Sequence, residues 1–383
     1  MPQQLHEKYV PILRFAQGER FFPMPVEDFL AYSTLRLKRD RTPILGQGQV
    51  TLSLLSSARE RPIDVYLQSV PATLADQNVV ARWSSDMFKE LAGASYTATH
   101  WQAALARAAY NWLSPKTESA ARLFWWNDLV MPLMAQGKRS KADLPRLDLP
   151  PEIRQAAVEN YERSQPQTPR YAYYYRTTQD ADYLCLQYWF FYAFNDWATG
   201  YDGMNDHEGD WEGMYLFFKL DESGVAQEPP AYITYVGHHS RLTKPWGHPV
   251  MSLDGTHPEA YVAAGSHATY PERKRYELMQ LYGLVDYATG DGVTIEPSGW
   301  RLRVDLNAQP WASAFLGTWG TRYWLPRSWA EQALGTVQKK IEEFGLPGIS
   351  GPRGPRYTEE GTERPNWSRV ASWAGILNLQ KNQ

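Results

Sequence analysis

The chain has 383 residues, a formal net charge of -3 and one cysteine. That balance offers no overall attraction for nucleic acid or acidic lipid, and a lone thiol excludes an internal disulfide. The longest apolar stretches, at about eleven residues, fall short of the roughly 20 that a membrane-spanning helix requires.

The length exceeds the roughly 100–200 residues usual for one domain, so two domains or one with a large insertion are expected. The opening segment, Met1 to Lys8, lacks a basic-then-apolar leader. With the single cysteine, this points to a cytoplasmic location, with export by a leaderless route left open. Residues 1–75 read as the N-terminal part of a β-sandwich. Val50-Thr51-Leu52-Ser53-Leu54-Leu55 and Ile63-Asp64-Val65-Tyr66-Leu67 are its short β-prone runs.

Residues 76–165 change character. Trp101–Trp112, Glu118–Trp126 and Pro151–Arg163 carry apolar residues at helical spacing, and Pro150-Pro151 suits a helix start. This block is expected to be a helical insertion. From residue 166 to 325 the pattern becomes a β-sandwich core. Tyr183–Phe194, Trp211–Leu220, Ala231–Val236, Ala260–Ala264 and Trp300–Leu306 are strand-like runs parted by Gly, Asn, Asp and Pro turns. Residues 326–383 predict a helix over Ser328–Phe344, opened by a Ser328/Glu331 capping box, and then an irregular tail. The fold class expected is mainly β: an antiparallel, jelly-roll-like β-sandwich with an inserted α-helical block and a C-terminal helix.

Six of the eight histidines fall between His207 and His267. They open with His207-Glu208-Gly209-Asp210-Trp211-Glu212, a turn running into a strand. Asp210 and Glu212, two apart on a strand, point to one face and repel unless a cation sits between them. In an antiparallel meander, strand ends and strand starts share an edge. Asn195-Asp196, His207 with Asp210 and Glu212, His238-His239, and Ser266-His267 are therefore expected to converge. Mixed imidazole and carboxylate groups without thiolate suit a divalent ion (Zn, Mn, Mg or Ca). His207, Asp210 and Glu212 form the nucleus, with Asp196, His238, His239 and His267 as candidates for the remaining positions. The surplus histidines His238, His239 and His267 are candidate general acids or bases. An arginine between the carboxylates would remove the need for a metal. Cys185, inside an apolar run, reads as a buried structural thiol.

Leu186–Tyr192, then His207–Glu212, then Tyr261–Ala268 resemble the family of vacuolar protein sorting-associated protein sixty-two. Tyr9–Phe15 with Glu19-Arg20-Phe21-Phe22-Pro23, and Phe315–Gly320, are similar to its bacterial members. A more distant similarity is to the necrosis-inducing proteins of plant pathogens, whose Gly-His-Arg-His-Asp-Trp-Glu string binds a divalent cation on a β-sandwich. That resemblance implies metal ligands at Asp196, His207, Asp210 and Glu212, and a glycolipid headgroup as partner. The function expected is a divalent-metal-binding protein that holds a small polar or anionic ligand such as a lipid or sugar headgroup, with peripheral membrane contact as a further option. The alternative is a metal-dependent, hydrolase-like enzyme using the same site with a histidine acid/base. No nucleic-acid partner is expected.

Overall fold

A computed structural model describes residues 2–38, 40–57, 64–71, 151–197, 207–237, 240–279, 284–320, 351–358 and 361–381. In the N-terminal part, helix α1 (Pro2–Lys8) precedes strand β1 (Ile12–Arg14). Helix α2 (Val26–Leu30), strands β2 (Thr34–Leu37) and β3 (Pro43–Leu45), helix α3 (Leu52–Ser56) and strand β4 (Val65–Gln68) follow. Next come helix α4 (Pro151–Ser164) and strands β5 (Tyr171–Asp180), β6 (Tyr183–Asn195), β7 (His207–Lys219), β8 (Tyr232–Gly237) and β9 (Ser240–Pro245). Strands β10 (Leu253–Asp254), β11 (His257–Val262), β12 (Thr269–Tyr270), β13 (Lys274–Met279), β14 (Leu284–Ala288), β15 (Thr294–Ile295) and β16 (Trp300–Asp305) complete the β set. Helix α5 (Pro310–Ala314) and three short C-terminal helices, α6 (Pro365–Ser368), α7 (Val370–Trp373) and α8 (Ile376–Lys381), end the described chain.

The two longest strands, β6 and β7, are the centre of a six-stranded sheet ordered β16-β5-β6-β7-β8-β9. All of its pairings are antiparallel except β16 with β5. Alternate residues of β6 and β7 enter two different cores. Trp189, Phe191, Trp211, Tyr215 and Phe217 pack with Phe29 of α2, Leu67 of β4, Ile153 of α4, Trp311 of α5 and Val370 of α7. Tyr188, Phe190, Tyr192, Met214, Leu216 and Phe218 pack with Leu13 of β1, Val262 of β11, Ile295 of β15 and Leu5 of α1. The sheet is thus covered on both faces, which is why β6 reads as a nearly unbroken apolar run instead of an alternating one.

The expectation of a mainly β protein with several antiparallel pairings holds. The described strands form several sheets. One is ordered β10-β11-β1-β15 with β12 on β11, one is β3-β2-β4, and β13-β14 is a separate hairpin. Strands β1 and β11 pair in parallel.

Val50–Leu55, expected as a strand, contains the start of helix α3. The Thr51 hydroxyl accepts from Leu54 N at 3.3 Å and caps its first turn, and this local bond outweighs the β preference of the run. Ile63–Leu67 supplies β4, which begins at Val65. Helix α4 starts at Pro151. The rest of the helical block, residues 76–150, and the helix expected over Ser328–Phe344 lie outside the described residues.

Candidate functional site

The site is assembled at the end of β7 near β6, where the connection between β11 and β12 folds over it. In that connection Ala263 N donates to Ala268 O at 2.9 Å, and His267 N donates to Ala263 O at 3.0 Å. Gly265 sits at φ +70°, and a Cβ there would lie 1.5 Å from Asp196 O, so only glycine fits. His267 takes φ +58°, a left-handed conformation uncommon for a residue with a side chain. This tight turn presents Gly265, Ser266 and His267 to three separate acids.

His267 is fully buried. Its Nδ1 donates to Asp210 Oδ2 at 2.9 Å, and its Nε2 lies 3.6 Å from Glu19 Oε1. The imidazole stacks on the Tyr192 ring, with centroids 3.8 Å apart and planes 4° apart. Burial opposes charge on the ring, but the Glu19 charge and the Asp210 hydrogen bond outweigh it and raise the pKa to about 9. The ring is therefore an imidazolium at neutral pH, held between two carboxylates.

Asp210 Oδ2 also accepts from Asn195 Nδ2 at 3.1 Å, and Tyr192 is the register partner of Asp210 across β6 and β7. For Glu19, burial raises the carboxyl pKa, but the His267 charge and backbone donors at Phe21 and Gly265 hold it below its usual value. Gly265 N donates to Glu19 Oε2 at 2.8 Å.

Ser266 faces a third acid. Asp286, fully buried on β14, accepts from Ser266 Oγ at 2.9 Å, Trp197 Nε1 at 2.8 Å and Tyr270 OH at 2.5 Å. Glu212, partly exposed, follows Asp210 along the same face of β7. Loss of solvation, then the charges of Asp210 and Asp286, push its carboxyl well above the ordinary range, against a smaller opposing effect of Arg364. Glu212 is accordingly the partly exposed member of an acidic group, and it holds its proton to higher pH than an ordinary carboxyl. Near Asp210, two buried polar atoms lack a hydrogen-bond partner, Tyr192 OH and Asn195 Oδ1.

The expected divalent ion is overturned. Among the described residues, no three His, Cys, Asp or Glu side chains are placed to hold a metal ion. The four expected ligands have other partners or other directions. Asp196 Oδ1 pairs with Arg154 Nε of α4 at 3.0 Å. His207 Nδ1 turns back to the Gly209 carbonyl at 3.0 Å. Asp210 is bound to His267 and Asn195. Glu212 is partly exposed, as is the Asp196 side chain that Arg154 holds. Gly209 has φ +63°, and the neighbouring Glu208 is buried against the residues that follow β4, where Oε1 accepts from Ser69 N at 2.6 Å, Ser69 Oγ at 2.8 Å and Val70 N at 2.8 Å. The cation beside Asp210 is thus a protonated histidine from a distant turn, held between Asp210 and Glu19 and not between Asp210 and Glu212.

Of the candidate acid/base residues, His267 joins Asp210 in the cluster, whereas His238 and His239 lie outside the described residues. Two acids of the cluster, Glu19 and Asp286, were missed among the candidates. Asp286 could have been noticed as a lone acid in the apolar string Leu284-Val285-Asp286-Tyr287-Ala288, because an unpaired carboxylate is rarely buried. Glu19 stands in the string Glu19–Pro23 that carries the family resemblance, but nothing local marks it as a partner of His267.

Solved structures similar to this chain include NLPPya in complex with glucosamine (12% identity, 38% of this chain and 55% of that chain, TM-score 0.24). They also include Necrosis and Ethylene inducing Protein 2 from the causal agent of cocoa's Witches Broom disease (12% identity, 46% and 68%, TM-score 0.25). A third, described as a toxin fold for microbial attack and plant defense, gives 13% identity, 38% and 56%, and TM-score 0.24. The chain spans little more than half the length of the first and third of these. They accord with the distant necrosis-inducing similarity only in a weak way, and likeness of this extent carries no conclusion about what the chain binds. Nothing in the comparisons points to the vacuolar sorting family. No family model and no curated relative matches the chain, so its reading rests on its own residues.

Proposed function

We propose that the chain is a binding protein that holds a polyhydroxylated headgroup, of sugar or lipid type, by direct hydrogen bonds at the Glu212 edge of the cluster. The observation that carries this reading is a partly exposed carboxyl, held well above its ordinary range, on the same strand face as Asp210, around which two buried polar atoms lack partners. A Glu212 that keeps its proton donates and accepts, Tyr192 OH does the same, and Asn195 Oδ1 accepts. That mixture matches hydroxyl groups, which both donate and accept. The acidic surroundings of Asp210 and Asp286 disfavour an anionic ligand.

The test is ligand-observed NMR with a panel of monosaccharides and myo-inositol at pH 7. One or more should bind. Glu212→Ala should weaken that binding by about tenfold, the loss of a hydrogen bond of roughly 1.4 kcal/mol, and Glu212→Gln should keep part of it. Absence of binding across the panel, or equal binding by Glu212→Ala, refutes the reading.

A second reading is favoured by the same raised carboxyl. A carboxylic acid that stays protonated at neutral pH is a competent general acid. In that case Glu212 would be the proton donor of a hydrolase, and nitrophenyl glycosides would be cleaved by the wild type and not by Glu212→Gln.

A further inference from the structure

Three Asp-Gly pairs occur in the chain: Asp202-Gly203, Asp254-Gly255 and Asp291-Gly292. Glycine lacks the Cβ that would otherwise shield its backbone nitrogen, so that nitrogen can reach the carboxyl carbon of the preceding aspartate. The first pair lies outside the described residues. The other two stand in opposite surroundings. Asp254 ends β10, a strand of two residues at the edge of its sheet, bonded to β11. The register pairs Leu253 with Pro258 and Asp254 with His257, which leaves Gly255-Thr256 as a two-residue hairpin loop. Leu253, Asp254 and Gly255 are exposed. Gly255 has φ +60°, and a Cβ there would meet nothing within 4 Å. Among the described residues, no acceptor engages Gly255 N and no donor engages the Asp254 carboxylate.

At Asp291-Gly292 both reacting groups are engaged. Asp291 Oδ1 accepts from Gln17 N at 2.9 Å and from Thr289 Oγ1 at 2.6 Å. Gly292 N donates to Phe15 O at 2.8 Å, and a Cβ on Gly292 would lie 2.4 Å from Ala16 O, so the two backbones are in close contact. The hydrogen bonds from Thr289 and Gln17 also hold the Asp291 carboxyl below its ordinary pKa. That disfavours the protonated form, whose hydroxyl is the better leaving group.

We infer that Asp254-Gly255 is a site of spontaneous backbone modification, at which Asp254 is converted to isoaspartate, and that Asp291-Gly292 is protected from the same reaction. Gly255 N forms a bond to Asp254 Cγ, and the carboxyl hydroxyl departs with the amide proton as water, which closes a succinimide. One water then opens the ring. Cleavage of the bond between nitrogen and Cγ restores aspartate. Cleavage at the α-carbonyl leaves the chain running through Cβ and Cγ, with a free α-carboxylate. The water lost equals the water regained, so the mass is unchanged and no cofactor is required. An extended Asp254 keeps Cγ away from Gly255 N, so the reaction proceeds when the short edge strand opens locally.

The consequence reaches the N-terminal segment. The same hairpin tip clasps the link between α1 and β1: Thr256 Oγ1 donates to Lys8 O at 2.6 Å, and His257 Nδ1 donates to Val10 O at 2.8 Å. An extra backbone carbon beside a two-residue loop breaks its register, and both clasps loosen with it. The modified chain also presents an exposed isoaspartyl carboxylate, the group on which isoaspartate-directed carboxyl methyltransferases act.

The test begins with the unaltered full chain held for weeks at 37 °C and pH 6, then digested. The aspartate and isoaspartate forms of each Asp-Gly peptide are separated by chromatography, since their masses are equal. Isoaspartate should accumulate at residue 254 at least about tenfold faster than at residue 291 in the folded protein. In concentrated urea, where both pairs lose their surroundings, the two rates should be comparable. Equal rates in the folded protein overturn the proposal, and so does a difference that persists unchanged in urea. Hydrogen exchange on the aged protein tests the clasp. Amides of residues 5–10 should exchange at least about threefold faster in aged wild type rich in isoaspartate than in aged Asp254→Glu, which cannot close the five-membered ring. Exchange at one common rate in those two samples overturns the link to the N-terminal segment. Neither measurement involves Glu212 or a headgroup, so the outcome is independent of the function proposed above.

Discussion

The buried His267 ion pairs should make stability fall as pH rises. The folded-state pKa of His267 is raised from 6.5 to about 9, and a raised histidine contributes its stability in full below the unfolded pKa. That contribution is lost between pH 6.5 and about 9. At 1.36 kcal/mol for each tenfold change in proton affinity, the difference is worth roughly 3 kcal/mol.

Two variants separate charge from packing. His267→Asn keeps a residue type that accepts the left-handed backbone and an amide that can donate to Asp210. It removes the cation and leaves Asp210 and Glu19 buried without it, so the cost at pH 6.5 should be about 3–5 kcal/mol. The double variant His267→Asn with Asp210→Asn replaces the pair by two neutral amides and should recover part of that loss. Chemical denaturation at half-unit steps from pH 6 to 9.5 gives the unfolding free energy of all three proteins. The wild-type curve should descend with a slope approaching 1.36 kcal/mol per pH unit, and the double variant should be flatter by roughly the 3 kcal/mol calculated. Parallel curves for wild type and double variant, or a cost below about 1 kcal/mol for His267→Asn, would refute the assignment of a buried imidazolium.

Glu212 adds a separate pH effect of the same sign. Its folded carboxyl holds its proton above the ordinary range, so its contribution to stability is lost as pH rises above the unfolded value. Glu212→Gln should therefore gain stability over the wild type progressively toward pH 8, as read by denaturation at two pH values. Gly265→Ala would drive a methyl group into Asp196 O at a positive φ; a loss of about 3 kcal/mol is expected, with a visibly lowered melting temperature. Cys185 is buried, and burial pushes its thiol well above the usual range. It should be unreactive toward a disulfide reagent in the native protein and react stoichiometrically after unfolding.

Much of the secondary structure can be read from local pattern. The strands over Tyr183–Asn195, His207–Lys219, Tyr232–Gly237 and Trp300–Asp305 follow from runs rich in aromatic and β-branched residues that turn residues interrupt. The start of α4 follows from Pro151. Where pattern failed, a specific local bond prevailed, as when the Thr51 hydroxyl converted a β-prone run into α3.

The sequence by itself also marked Asp210, Glu212 and His267 as members of a site, because charged side chains inside strand-forming runs must find partners when the strands are buried. It could not determine those partners. Glu19 and His267 are 248 positions apart, and they meet only because the turn before β12 closes over β7. Once that imidazolium lies against Asp210, and Arg154 of α4 against Asp196, the carboxylates no longer converge as metal ligands. The same holds for Arg176, Gln187, Tyr215, Thr234 and Thr243, which have no common spacing in the chain and which strand register alone aligns on one face of the central sheet. Local chemistry is written in the order of the residues, whereas the neutralisation of one buried charge by another depends on distances that only the folded sheets establish.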